Sequence, residues 1–210
     1  ALDPTSFGEV TDGFWQINDA SPIFADSTNP VSGAFEETSV NAANATSHTF
    51  SSQDIGSAAA DRRVVVSIMT GTTTVTGVTV AGSACTRDTQ IVGNDNNNIE
   101  FWSIDLATGT SADIIVSHSG TAVRCGIAVF TVNGASPAGS VFDSFTQGLG
   151  SGTASGTVTV PAGGVVIACN LVQDNTGPAT TAFTNGTEVY DIVLEAGSNH
   201  TMAGCYDTYS

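Results

Sequence analysis

Lysine is missing from all 210 residues, and four arginines (Arg62, Arg63, Arg87, Arg124) face 20 aspartates and glutamates for a formal charge of −16. A phosphate-loop nucleotide site needs a lysine on the phosphates, and a Schiff-base enzyme needs its amine. Nucleic-acid binding needs a basic face that displaces counterions. None of these can be built from this inventory, so no nucleic-acid partner is expected. Charge of either sign is scarce, at 11% of residues against about 25% in ordinary domains. No run of 18 apolar residues occurs, so no helix is expected to span a membrane. The four cysteines (Cys85, Cys125, Cys169, Cys205) contain no C-x-x-C pair, which removes a zinc knuckle and a thioredoxin-type motif.

In place of charge the chain carries 23 Gly, 29 Thr and 22 Ser. These suit strands and turns and are poor helix formers. Arg62 to Met69 and Cys125 to Val132 read as strands apolar on both faces. Thr74 to Val80, closed by Gly82, Glu100 to Leu106 and Ala112 to His118 are strands with turn signals between them. Shorter segments at 141–145 and 156–160 lead into Val165 to Val172. Glu188 to Leu194 and Thr201 to Tyr209 follow. Eight to ten short strands with regular turns predict an all-β fold, an antiparallel β-sandwich of jelly-roll type. One short helix is possible around Gln53 to Asp61.

Residues 1–45 differ. They hold five of the fifteen aromatics and three of the six prolines, with no sustained apolar period. The division expected is an extended aromatic arm over 1–45 and a sandwich over 46–210. Exposed aromatics are costly, so the arm must pack on its own sandwich or on a neighbouring subunit. Phe7, Phe14, Trp15, Ile17, Phe24 and Phe35 are the candidate docking residues. Arg62 and Arg63 are candidates for pairing with carboxylates of another subunit.

The search for a reaction centre finds little. There is no G-x-S-x-G elbow. The three histidines (His48, His118, His200) are scattered, with no H-x-H or H-E-x-x-H, so no imidazole-held metal is expected. His118 and Ser119 are adjacent, and adjacent strand residues point to opposite faces. Asn94 to Asn98 is the best calcium loop but offers one carboxylate, so it reads as a solvated turn. Glu188, Asp191 and Glu195 form an acidic edge. Tyr190, Tyr206 and Tyr209 could line a glycan platform or pack with their hydroxyls at the surface. The cysteines, each in an apolar stretch, read as buried thiols or as bridges between sheets. No catalytic residue, metal or cofactor is assigned, and the chain is not expected to be an enzyme.

Several stretches resemble structural proteins of tailed bacteriophages of marine bacteria. They are Asp61-Arg62-Arg63-Val64-Val65-Val66, Gly77-Val78-Thr79-Val80-Ala81-Gly82, Arg124-Cys125-Gly126-Ile127-Ala128-Val129-Phe130 and Val158-Thr159-Val160-Pro161-Ala162-Gly163-Gly164, in order across about residues 60–172. The resemblance implies a virion β-sandwich, either a capsid decoration (cement) protein or a part of the tail. Its partners would be the major capsid protein and copies of itself, as a homotrimer. It would sit at the particle surface after assembly in the host cytoplasm. The alternative is a glycan- or receptor-binding module of a tail fibre or adhesin. No site residue transfers with the resemblance.

Overall fold

A computed structural model describes residues 5–7, 14–18, 31–71, 73–92, 97–134, 143–146, 156–158, 163–173, 183, 186–194 and 200–208. The described residues hold strands and no helix, and their strand pairings are antiparallel. The expected helix near Gln53 is the end of a strand followed by a loop. The chain forms two compact units, 33–135 and 1–32 with 136–210. The expected division between 45 and 46 falls inside the first of these units.

Unit 33–135 is built on β3 (Ser32–Asn41), β4 (Ala45–Asp54), β5 (Arg63–Thr70), β6 (Val75–Val80), β7 (Ser83–Ala84), β8 (Thr86–Val92), β9 (Asn98–Asp105), β10 (Ser111–Ala122) and β11 (Cys125–Asn133). One sheet has the order β3-β11-β5-β9-β8 and the other β4-β10-β6-β7. The partners nest: β6 with β7, β5 with β9, β4 with β10, β3 with β11. β7 and β8 are one strand in two halves, crossing between sheets at Cys85. A long hairpin folded over in this way, its successive strands alternating between two sheets, is a jelly roll.

The sequence pattern explains the layers. Along β10 burial alternates strictly from Ser111 to Val116, placing Ala112, Ile114 and Val116 inward. β5 is β-branched at five of its eight positions and is buried from Val64 to Thr70. Val64, Val66 and Ile68 of β5, Ile127 and Val129 of β11 and Trp102 of β9 meet Phe50, Val75, Val78, Val80, Ile114 and Val116 of the facing sheet. Each such side chain contributes roughly 1.5–3 kcal/mol on burial. Register locks the core: Val66 lies opposite Val129 and Trp102, and Ile114 opposite Phe50 and Val80. The β6–β7 turn places Ala81 and Gly82 at φ of 51° and 77°, the two-residue hairpin geometry that matches strand twist.

The second unit carries β1 (Thr5–Phe7), β2 (Phe14–Asn18), β12 (Asp143–Thr146), β13 (Gly156–Val158), β14 (Val165–Gln173), β15 (Thr187–Val193) and β16 (His200–Thr208). Its five-stranded sheet runs β12-β2-β14-β16-β15, beside a β1–β13 pair. The Tyr190 ring of β15 lies on Gly204 of β16, where a Cβ would collide with it.

Candidate functional site

The expected docking residues that the structure describes lie in strands. Phe14, Trp15 and Ile17 lie in β2, which pairs on both sides: Trp15 is opposite Asn170 of β14 and Phe145 of β12. Phe7 is in β1, opposite Gly156. Phe35 is in β3, the edge strand beside β11, with its ring edge-on to Phe130 at 5.5 Å. Phe24 lies outside the described residues. An extended wrap was expected because β2 is only five residues long and β3 (SGAFEETSVN) is half-buried on most of its length. β3 does not show the alternation that marks a strand with one wet face.

Arg62 also departs from expectation. It is 1% exposed. Its Nε donates to Leu106 O at 2.8 Å. Nη1 donates to the carbonyls of Ile55, Gly56 and Gly109 at 2.8–3.0 Å, and Nη2 to Thr108 O at 2.8 Å. The guanidinium thus ties the loop after β4 to the β9–β10 connection, and cannot reach another subunit. Arg63 points outward and pairs in both directions of its fork with Asp105, at 2.8 and 3.2 Å. Asp105 raises its pKa, chiefly by that hydrogen bond. A shallow polar pocket of about 250 Å³ adjoins the pair, lined by Thr86, Asp88 and Ser103 among others.

At the opposite end of β5 a second polar cluster sits inside the sandwich. Alternation on β4 carries His48 inward in phase with Phe50, and alternation on β10 carries His118 inward in phase with Val116. His48 Nδ1 and His118 Nε2 are 2.8 Å apart, and His48 Nε2 is 2.8 Å from Ala43 O. The rings meet edge to face at 4.9 Å. Cys125, the first residue of β11, brings its sulfur to the same place, and one ligand atom from each of the three lies within 4.8 Å of the others. All three are buried. Burial, then the neighbouring imidazole, pushes His118 down to about 4. Burial, then Glu100, raises the Cys125 thiol. His118 Nδ1 is buried without a hydrogen-bond partner. The expectation of scattered histidines is thus corrected: 70 residues of separation are closed by the β4–β10 pairing. A histidine in phase with the apolar positions of an alternating strand was the available signal.

Glu100 of β9 is fully buried nearby. It accepts from Trp102 Nε1 at 2.9 Å, Gln90 Nε2 at 3.0 Å and Val75 N at 3.3 Å, with Arg87 Nη1 at 3.8 Å. Desolvation nonetheless raises its pKa above the usual range.

The remaining candidates divide. Asn98 is buried and donates to Thr73 O at 2.6 Å, while Asn94 to Asn96 lie outside the described residues. Tyr190 is 7% exposed against Gly204 and cannot serve a surface platform; Tyr206 is half-buried, and Tyr209 lies outside the described residues. Glu188 and Asp191 are exposed on β15. None of the four cysteines is in a disulfide, and the thiols of Cys85 and Cys205 are both pushed up to about 12, first of all by burial. The sequence matches no known family model and no characterised protein.

Proposed function

We propose that this chain is a structural protein of a virion surface, a decoration protein that binds the phage head and copies of itself, without turnover chemistry. The observation that carries the reading is the nested jelly roll of residues 33–135. This architecture recurs in viral capsid and lectin domains, so the support it gives is analogy at the level of the fold. Two further observations agree with it. The outer face of β4 and β10 presents Ser47, Thr49, Ser51, Ser111, Asp113 and Ser119 to solvent, a surface that stays soluble at high local concentration. The buried cation Arg62 knots loops together, which suits a part selected for rigidity. The docking surface in this reading belongs to strand-built units, since Phe14, Trp15, Ile17 and Phe35 are all in strands.

Gold-labelled antibody against the chain, applied to purified particles from a culture that produces it, tests the reading. Label over the head is expected. Label confined to tails would move the protein to the fibre, and particles without label would overturn the proposal.

A further inference from the structure

The carbonyl of Ala43 can only accept, so His48 keeps its hydrogen on Nε2 and presents a bare lone pair at Nδ1. At 2.8 Å from that lone pair, His118 donates from Nε2. Its Nδ1 is then a second bare lone pair, buried and without a hydrogen-bond partner, an arrangement that native interiors avoid. Moving the His118 proton to that unpartnered Nδ1 turns Nε2 into a lone pair facing His48 Nδ1, so two imidazole nitrogens and a cysteine sulfur converge from three strands. Nitrogen and sulfur donors suit Zn2+ and copper and not Ca2+ or Mg2+.

We propose that His48, His118 and Cys125 form a binding site for a Zn2+-class transition-metal ion, which links the two sheets of the jelly roll. His48 and His118 belong to the β4-β10 sheet and Cys125 to the β11-β5 sheet, so an ion held by all three is a crosslink between layers. Ligand atoms bound to one such ion stand about 3.3–3.6 Å apart, given bonds of about 2.0–2.3 Å. The three atoms already lie within 4.8 Å of one another, and side-chain torsions supply the remaining ångström or so. On binding, the Cys125 thiol releases its proton to solvent and the sulfur bonds the ion. The ion's charge replaces the proton's, and the buried carboxylate of Glu100 adds a favourable counter-charge. The Ala43 carbonyl holds the His48 ring from behind, as outer partners of metal-bound histidines do. Three protein ligands leave a fourth position open.

The test uses full-length protein stripped with a chelator and titrated anaerobically with Co2+, whose sulfur-to-metal charge-transfer band reports thiolate coordination. One equivalent is expected to bind with that band, to be displaced by Zn2+ and to be unaffected by Ca2+ or Mg2+. Cys125→Ser removes the band, whereas Cys85→Ser and Cys205→Ser keep it. His48→Asn and His118→Asn each weaken binding at least tenfold. A wild-type protein without the band, or a folded Cys125→Ser protein that keeps it, overturns the proposal. X-ray absorption at the zinc edge of the loaded wild type needs no variant: a shell of nitrogen and one sulfur is expected, and oxygen alone overturns it.

Discussion

Arg62 and Arg63 are neighbours with opposite fates, and the physics of burial separates them. Arg63 pairs with Asp105 where the latter's side chain is 68% exposed, and exposed pairs of this kind contribute about 0.2–1 kcal/mol. Arg62 makes five contacts with loop carbonyls in the interior. Removing them leaves several buried acceptors unsatisfied, each costing about 1–3 kcal/mol in part. Lysine cannot substitute, because an ammonium has three donors at one point and no planar fork. Arg62→Lys is expected to lower unfolding free energy by about 2–4 kcal/mol and Arg62→Met by at least as much, measured by urea denaturation. A loss under about 0.5 kcal/mol for Arg62→Lys, the range of ordinary surface changes, would show that the loops hold without it. Sequence alone could not assign the two roles. Both arginines precede the same apolar strand, and the carbonyls that claim Arg62 come from residues 55–56 and 106–109.

At the scale of the element, legibility followed burial. β10 was readable because one face is wet, and β5 and β11 because they are apolar throughout. β3 was not, since its side chains are mostly half-buried and its Glu36 is drawn inward to accept from Thr131 Oγ1. β2 was not, since its alternation runs over only four residues, Trp15 to Asn18, at the lower limit of what reads as a strand. The His48–His118–Cys125 cluster needed the β4–β10 register, which no local pattern contains. One consequence reaches the proposed docking role of the N-terminal residues. Removing 1–35 takes out β2 from between β12 and β14 and the first residues of β3, leaving the backbone donors and acceptors of β14 exposed along one side. Such a truncation is expected to lose cooperative unfolding and to become protease-sensitive within 143–208, read by circular dichroism and limited proteolysis. A truncated chain that melts like the full one would restore the picture of a detachable arm. Loss of particle attachment by this truncation therefore says nothing about docking unless folding is shown to survive.

For the whole molecule the missing lysine becomes an electrostatic property of the folded chain. Of the three arginines with assigned partners, Arg62 is buried among carbonyls, Arg63 is bound to Asp105 and Arg87 is beside Glu100. Asp105 apart, none of these three is paired with an exposed carboxylate such as Asp54, Asp113, Glu188 or Asp191. A net charge of −16 on the folded chain repels itself, and unfolding relieves the repulsion. The Debye length falls from about 30 Å at 0.01 M salt to about 8 Å at 0.15 M, so most of that repulsion is screened over this range. The melting temperature is expected to climb as NaCl rises from about 0.01 to about 0.15 M and to flatten above it. Sodium sulfate at matched ionic strength should give the same early rise, and then a further one at high concentration from its exclusion from the protein surface. A melting temperature that stays flat below about 0.15 M and climbs only in concentrated sulfate would mean that the acidic surface carries no strain. The scarcity of basic residues would then bear on the choice of partners and not on stability.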